Sequence, residues 1–342
     1  MTEATGASPL YLVTGAAGFV GSHLVRHLAA QGQRLRIMVR KPEQAEPLRD
    51  LVEEVVIADL QKPDTLNAAV AGVHGIYHIA ALFRTAGVPD SAFDEVNVQG
   101  VRNILDAAIA AGVKRFVHCS TNGVHSHIAN PPADETAPFN PSDAYQVSKL
   151  EGEKIVMSCF EQEKIRGVII RPAMIYGPGD TRILKLFKMV ANGKFFYIGK
   201  GEALTHWLDV RDLARAFELG MLKDELNAEA FLIAGKEYST LKQDVHQIAK
   251  ALEVPEPKLH LPVGPIMALA HVTEAVCKPF GIEPPLFPRR VSFFLKNRAF
   301  DISKARKLLG YEPRTDFAGE IVDIIAAYRA SGDLPPPARQ AV

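Results

Sequence analysis

The chain has 342 residues, and its 39 lysines and arginines balance 39 aspartates and glutamates, for a formal net charge of zero. That length suits one large α/β domain with a smaller appended lobe. The balanced charge argues against a basic nucleic-acid footprint and against an acidic solvating tail. An apolar fraction of 47% is ordinary for a globular protein, and the three cysteines (Cys119, Cys159, Cys277) are too few and scattered for a disulfide framework or a zinc site. The opening MTEATGASP has no apolar stretch of the kind a secretory leader needs. No run reaches the roughly 18 apolar residues of a membrane span. A reducing cytoplasm is the expected compartment.

In chain order, Leu10–Val13 predicts a short strand, followed at once by TGAAGFVG and a helix through about Ala30. Further strands are expected at Leu35–Val39, Val55–Ala58, Gly75–Ile79, Arg115–Cys119 and Gly167–Ile170. Helical patterns fill the gaps at Pro63–Ala71, Phe93–Ala111 and Ala144–Glu163. Strands alternating with such helices imply right-handed βαβ units and a doubly wound parallel sheet, the Rossmann form of the α/β class.

After Arg171 the rhythm changes. Helices are expected at Ile183–Ala191 and Asp209–Leu222, with Phe231–Ala234 a strand able to return to the main sheet. From Leu241 the pattern is helical and interrupted by prolines, and Leu261–Pro288 carries little charge. The expected organisation is a dinucleotide-binding domain over 1–178, rejoined by about 208–234, and a mostly helical substrate lobe from 179–207 and 235–342.

TGAAGFVG puts Gly15, Gly18 and Gly21 three apart between a strand and a helix. Such glycines permit a tight turn, close approach of backbone to a pyrophosphate, and close helix–sheet packing; the helix N-terminus offers free N–H groups to the phosphates. Gly15, Ala17, Gly18, Phe19, Val20 and Gly21 are therefore the candidate phosphate cradle. Where an acidic residue would bind the ribose 2′-hydroxyl of NAD, the chain has Arg40, which suits the 2′-phosphate of NADP and puts NADP ahead of NAD. A solvated Arg40, or one stacked on the adenine, would suit NAD as well. Asp59 and Leu60 are placed at the adenine, and Asp59 could equally cap the following helix.

Tyr145 and Lys149 stand four apart in AYQVSK, a spacing that puts both on one helix face. An ammonium beside a phenol favours the phenolate, lowering a pKa that starts near about 10. Tyr145 could then exchange a proton with a substrate hydroxyl while a nicotinamide exchanges the hydride. No metal is implied by such chemistry. His23 and His27 lie four apart without a third ligand, and His125 and His127 could face substrate without forming a metal site.

Taken together, TGAAGFVG, IADL, HIAA, NVQGVRNIL, RFVHCSTNGVHS, YQVSK, RPAMIYGPGD, WLDVRDLARA and FDISKARKLLGYEP occur in order over nearly the whole chain. This series resembles the extended short-chain dehydrogenases/reductases, which include nucleotide-sugar epimerases and dehydratases, 3β-hydroxysteroid dehydrogenases and dihydroflavonol reductases. The resemblance implies a general acid/base at Tyr145, with Lys149 also holding the nicotinamide ribose. It implies a substrate-polarising hydroxyl at Thr121, with Ser120 the competing choice, and Asn122 and Met174 facing substrate. Asn97 would brace the active-site water and the catalytic helix, or bond only to nearby backbone. His78, Ala80 and Ala81 would line the cofactor, and Arg171 and Pro172 would pass under the nicotinamide. A homodimer is implied, paired through helices 93–111 and 144–163.

Two features bear on substrate. Nucleotide-sugar members carry an arginine that grips the diphosphate where this chain has Thr205, with Arg211 or Arg182 as possible substitutes. The apolar stretch Leu261–Pro288 resembles the steroid branch, as lid, membrane contact or plain core. Both features favour an apolar alcohol or ketone, with net use of NAD(P)H. A nucleotide-sugar epimerase or dehydratase that returns its hydride is the alternative. A non-catalytic nucleotide sensor is disfavoured because the Tyr–Lys pair is kept.

Overall fold

The computed structural model describes residues 8–83, 88–280, 282, 284–314 and 316–336. In its first part β1 (Leu10–Thr14), α1 (Phe19–Ala30), β2 (Arg34–Val39), β3 (Glu54–Ile57), α2 (Pro63–Val70) and β4 (Gly75–His78) follow in turn. A helical segment comes next, made of α3 (Asp90–Asp94), a π-helical turn (Glu95–Gln99) and α4 (Gly100–Ala110); it leads to β5 (Arg115–Cys119), α5 (Ala144–Glu161) and β6 (Arg166–Pro172). Then come β7 (Met174–Tyr176), α6 (Leu184–Ala191), β8 (Tyr197–Ile198), β9 (Leu204–Thr205), β10 (Trp207–Asp209), α7 (Val210–Leu222) and β11 (Glu229–Ile233). The described residues continue through β12 (Ser239–Thr240), α8 (Leu241–Leu252), β13 (His260–Leu261), α9 (Val263–Cys277), α10 (Pro288–Ser292) and α11 (Phe317–Ala330).

Seven parallel strands form the main sheet in the order β11-β6-β5-β4-β1-β2-β3. The expected return strand is there, with β11 beside β6. Most of these strands are buried on both faces, hence their largely apolar centres. Leu24, Val25 and Leu28 of α1 pack with Ala214 and Phe217 of α7 on one face. Leu66 of α2, Ile104 and Leu105 of α4 and Val156 of α5 pack on the other. The chain winds one way from β1 to β3 and then returns to place β4 on the other side of β1. The connections that leave the C-terminal ends of β1 and β4 therefore run to opposite faces of the sheet, which opens the crevice where ligands bind in open α/β sheets.

Helix 93–111 begins earlier than its apolar pattern indicated and is widened at Glu95–Gln99. The reason lies in Asn97, whose Oδ1 accepts from Leu82 N (2.8 Å) and whose Nδ2 donates to Leu82 O (3.0 Å) and Ser148 Oγ (3.0 Å). A π turn aims this side chain inward. It also brings the Asn97 carbonyl against α5, so that a Cβ on Gly152 would sit 2.2 Å from it.

The later part has its own core, built from Phe187 and Val190 of α6, Val245 and Ile248 of α8 and Ile321 and Ile324 of α11. Trp207 stacks on Phe317 with ring centroids 4.7 Å apart. The low-charge stretch is only partly core. On α9 Ala270 is buried against Ile198 and Val291, while Leu269, Val272 and Val276 are 50–59% exposed. No described helix is long and apolar enough to cross a membrane.

His78 and His118 stack across β4 and β5 with centroids 5.5 Å apart, and both are fully buried. Burial holds each imidazole neutral, taking His78 down to about 3 and His118 well below its ordinary value, with Lys149 adding in the same direction. Unfolded histidines take up protons as the pH falls through about 6.5, whereas these two do not. Their contribution is therefore present above that pH and is lost as the pH falls towards the folded values. Thermal midpoints should fall between pH 6.5 and 4.5, and His118→Leu should flatten that slope. An equally steep slope in the variant would place the acid lability elsewhere.

Candidate active site

A cavity of about 740 Å³ opens at the C-terminal ends of the strands. Its first wall is the loop between β1 and α1. Gly15 takes φ +69°, and a Cβ there would lie 2.7 Å from Ala80 N; a Cβ on Gly21 would lie 2.1 Å from Gly15 O. Backbone fills these spaces, so only glycine fits. Gly18 is the N-cap of helix α1 and offers it no side-chain cap, and the first turn carries no acid. Its first amides therefore remain available, beside a positive dipole end. Ala17, Phe19 and Val20 complete this wall.

The cavity continues past Met38, Val39 and Arg40 to Asp59 and Leu60. Arg40 is exposed, and its guanidinium forms no ion pair among the described residues. Its backbone N–H is held by Gln44 Oε1 at 3.0 Å. Asp59 Oδ1 accepts from Gln61 N at 3.0 Å, which fixes the turn before α2 rather than capping that helix, whose N-cap is Lys62.

Thr14 ties β1 to β4. Its Oγ1 accepts from Ile79 N (3.1 Å) and Ala80 N (3.2 Å) and lies 2.9 Å from His78 Nδ1, to which it donates. Ala80 and Ala81 line the cavity. His78 does not; it is the last residue of β4 and is fully buried.

Asp143 caps α5 by accepting from Gln146 N at 2.8 Å, and the helix carries Tyr145 and Lys149 into the cavity wall. Phe83 meets the Tyr145 ring edge-on at 5.1 Å. Lys149 is buried and its Nζ donates to Cys119 O at 2.6 Å. Burial lowers the Lys149 pKa, opposed by Cys119 and Glu153. Ser120, Thr121, Asn122 and Met174 face the same cavity, beside Pro172.

The two hydroxyls differ. Ser120 donates its proton to Glu153, whereas Thr121 Oγ1 accepts from Gly123 N at 3.0 Å and keeps its proton to give. Arg171 is turned away from the cavity. Adjacent strand residues face opposite ways, so Pro172 lines the site while Arg171 lies buried against Glu153 (Nε–Oε1 3.1 Å) and over the Phe139 ring. Asn97 also stops short of the cavity and braces α5 through Ser148. His125 is buried beneath Phe139, and His127 accepts from Asn297 N on the surface. Thr205 and Arg211 are engaged elsewhere, with Asp244 and with Asp209 and Glu320. The cavity also recruits Gln146, Ser126, Trp207, Arg182 and Arg298, which come from five separate segments.

A glycine cradle at an uncapped helix start, joined in one cavity to a Tyr–Lys pair, fits a nicotinamide dinucleotide. The sequence profile of the NAD dependent epimerase/dehydratase family matches residues 11–234. The chain belongs to that family. It is an NAD-dependent enzyme of the extended short-chain dehydrogenase/reductase type. Among its relatives, the 3beta-hydroxysteroid-dehydrogenase/decarboxylase isoform 1 of Arabidopsis thaliana is 30% identical, covering 91% of this chain and 77% of that protein. The sterol demethylase protein B of Methylococcus capsulatus is 29% identical, covering 94% and 98%. The crystal structure of gox2253 superposes with a TM-score of 0.82 at 30% identity, covering 96% of this chain and all of that one.

Proposed function

We propose that this member of the family interconverts a secondary alcohol and a ketone on an apolar substrate, with net use of NADP(H) in preference to NAD(H). What carries the reading is one cavity that joins the glycine cradle to Tyr145, Lys149 and Thr121 within apolar walls. When bound, the cofactor gives or takes the hydride. Tyr145 exchanges the proton at the reacting oxygen. Lys149, buried one helical turn away, favours the phenolate and so keeps Tyr145 competent in both directions. Thr121 donates its uncommitted proton to the same oxygen and stabilises negative charge there, a role closed to Ser120.

Phe83, Met174, Ile175, Ile183 and Trp207 supply the apolar lining around that point. Thr205 is buried on Asp244, so the nucleotide-sugar clamp is missing from its usual place. The names of the sterol and steroid relatives agree with an apolar substrate. Incubation of the protein with reduced cofactor and a panel of apolar cyclic ketones should consume the reduced nicotinamide. Turnover of a nucleotide sugar with no net change in cofactor would replace this reading with an epimerase.

The cofactor preference rests on Arg40. Arg40→Ala should weaken NADP binding by about tenfold or more, the worth of one charge-assisted contact, and leave NAD almost unchanged. Calorimetry with both dinucleotides checks this, and equal losses for the two would mean that Arg40 does not read the 2′-phosphate.

A further inference from the structure

The loop after β7 brings a cation to the cofactor cleft from the side opposite the glycine cradle. Arg182 lines the cavity, and its guanidinium lies 4.8 Å from the centroid of Phe19, the first residue of α1. Phe83, which packs on Tyr145, lies 5.8 Å from it. Buried Asp180 fixes the fork by accepting from Nε (2.8 Å) and Nη2 (2.9 Å), and Ile175 O accepts from Nη2 at 3.0 Å. Nη1 has no hydrogen-bond partner among the described residues. The loop itself is pinned at two more points, where His23 of α1 donates to Pro178 O at 3.0 Å and Tyr328 of α11 donates to Asp180 O.

We propose that Arg182 is a cofactor-binding residue that clamps the diphosphate against the N-terminus of α1. This rests on the dinucleotide reading of the cavity. The helix start offers amides and a dipole from one side. Arg182 offers a pre-set donor and a positive charge from the other, and planar guanidinium forks are suited to phosphate oxygens. Asp180 orients the fork from behind while Nη1 is left to give. The cofactor is thereby gripped by two chain segments more than 150 residues apart, as the contact of His23 with Pro178 already spans 155.

The test is calorimetry on the full chain with ADP-ribose, which carries the diphosphate, and with 2′-AMP, which does not. Arg182→Gln should weaken ADP-ribose about ten- to hundredfold, the range for losing a hydrogen bond to a charged group. Affinity for 2′-AMP should stay within about twofold. Arg182→Lys should recover part of the loss. If the glutamine variant does not fold, Arg182→Met keeps packing against the two rings and carries the same expectation. Unchanged ADP-ribose affinity in the folded variant overturns the clamp, as does an equal loss for both ligands. A wild-type protein that binds neither ligand overturns the dinucleotide reading instead.

Discussion

Tyr145→Phe should lower kcat/KM by about a thousandfold, within the range for losing a positioned general acid/base, while cofactor affinity and thermal midpoint hold. The substitution removes one oxygen and keeps the ring. Packing against Phe83 at 5.1 Å and Phe93 at 6.4 Å therefore survives. Lys149 keeps its bond to Cys119 O and stays in place. Because the proton at the reacting oxygen moves in the transition state, the loss should fall on kcat rather than on cofactor binding. Full activity in the variant would remove Tyr145 from the chemistry. A parallel loss of cofactor affinity would instead show that the phenol holds the site open.

Glu153→Leu should cost about 3–5 kcal/mol of stability, the range for breaking a buried ion pair by removing one partner. Glu153 and Arg171 are only 3% and 4% exposed, so Arg171 would be left with its charge in a dry interior. His125, 3.4 Å from Arg171 and lowered in pKa by its own burial, offers no compensating charge. Ser120 would also lose its acceptor. Replacing both members, as Glu153→Leu with Arg171→Met, should recover much of the loss, since the guanidinium is then no longer left unpaired. Denaturant titration of the two single variants and the double variant checks this. A double variant as unstable as the sum of the singles would mean the pair is not an isolated unit. Because Glu153 also faces Lys149 and Ser120, activity should fall further than stability alone accounts for.

Much of the site was legible because chemistry and local geometry coincide in short segments. A strand, three glycines and a helix specify the cradle at Gly15–Gly21, and a helical i, i+4 step specifies Tyr145 and Lys149. What resisted reading were directions. Neither Arg171 nor Pro172 announces which face of β6 it takes, and the choice is made by Glu153, eighteen residues earlier. The resemblance places His78 at the cofactor, yet Thr14, 64 residues away, holds its ring in the buried interior. The π turn at Asn97 follows from bonds to Leu82 and Ser148, which no periodicity encodes. The position of Arg182 depends on Asp180, Phe19 and a loop tied to α1 and α11.

Helix α11 lies far downstream of the glycine cradle, yet Tyr328 holds Asp180 and Glu320 receives both Tyr176 and Arg211. On the ribosome, where segments emerge from the N-terminus onward, the glycine cradle and the Tyr–Lys helix would be synthesised long before the helix that steadies the opposite wall. Competence to retain the dinucleotide should therefore arise only once α11 has emerged. Nascent chains stalled short of residue 317 would hold the sheet without a finished cleft.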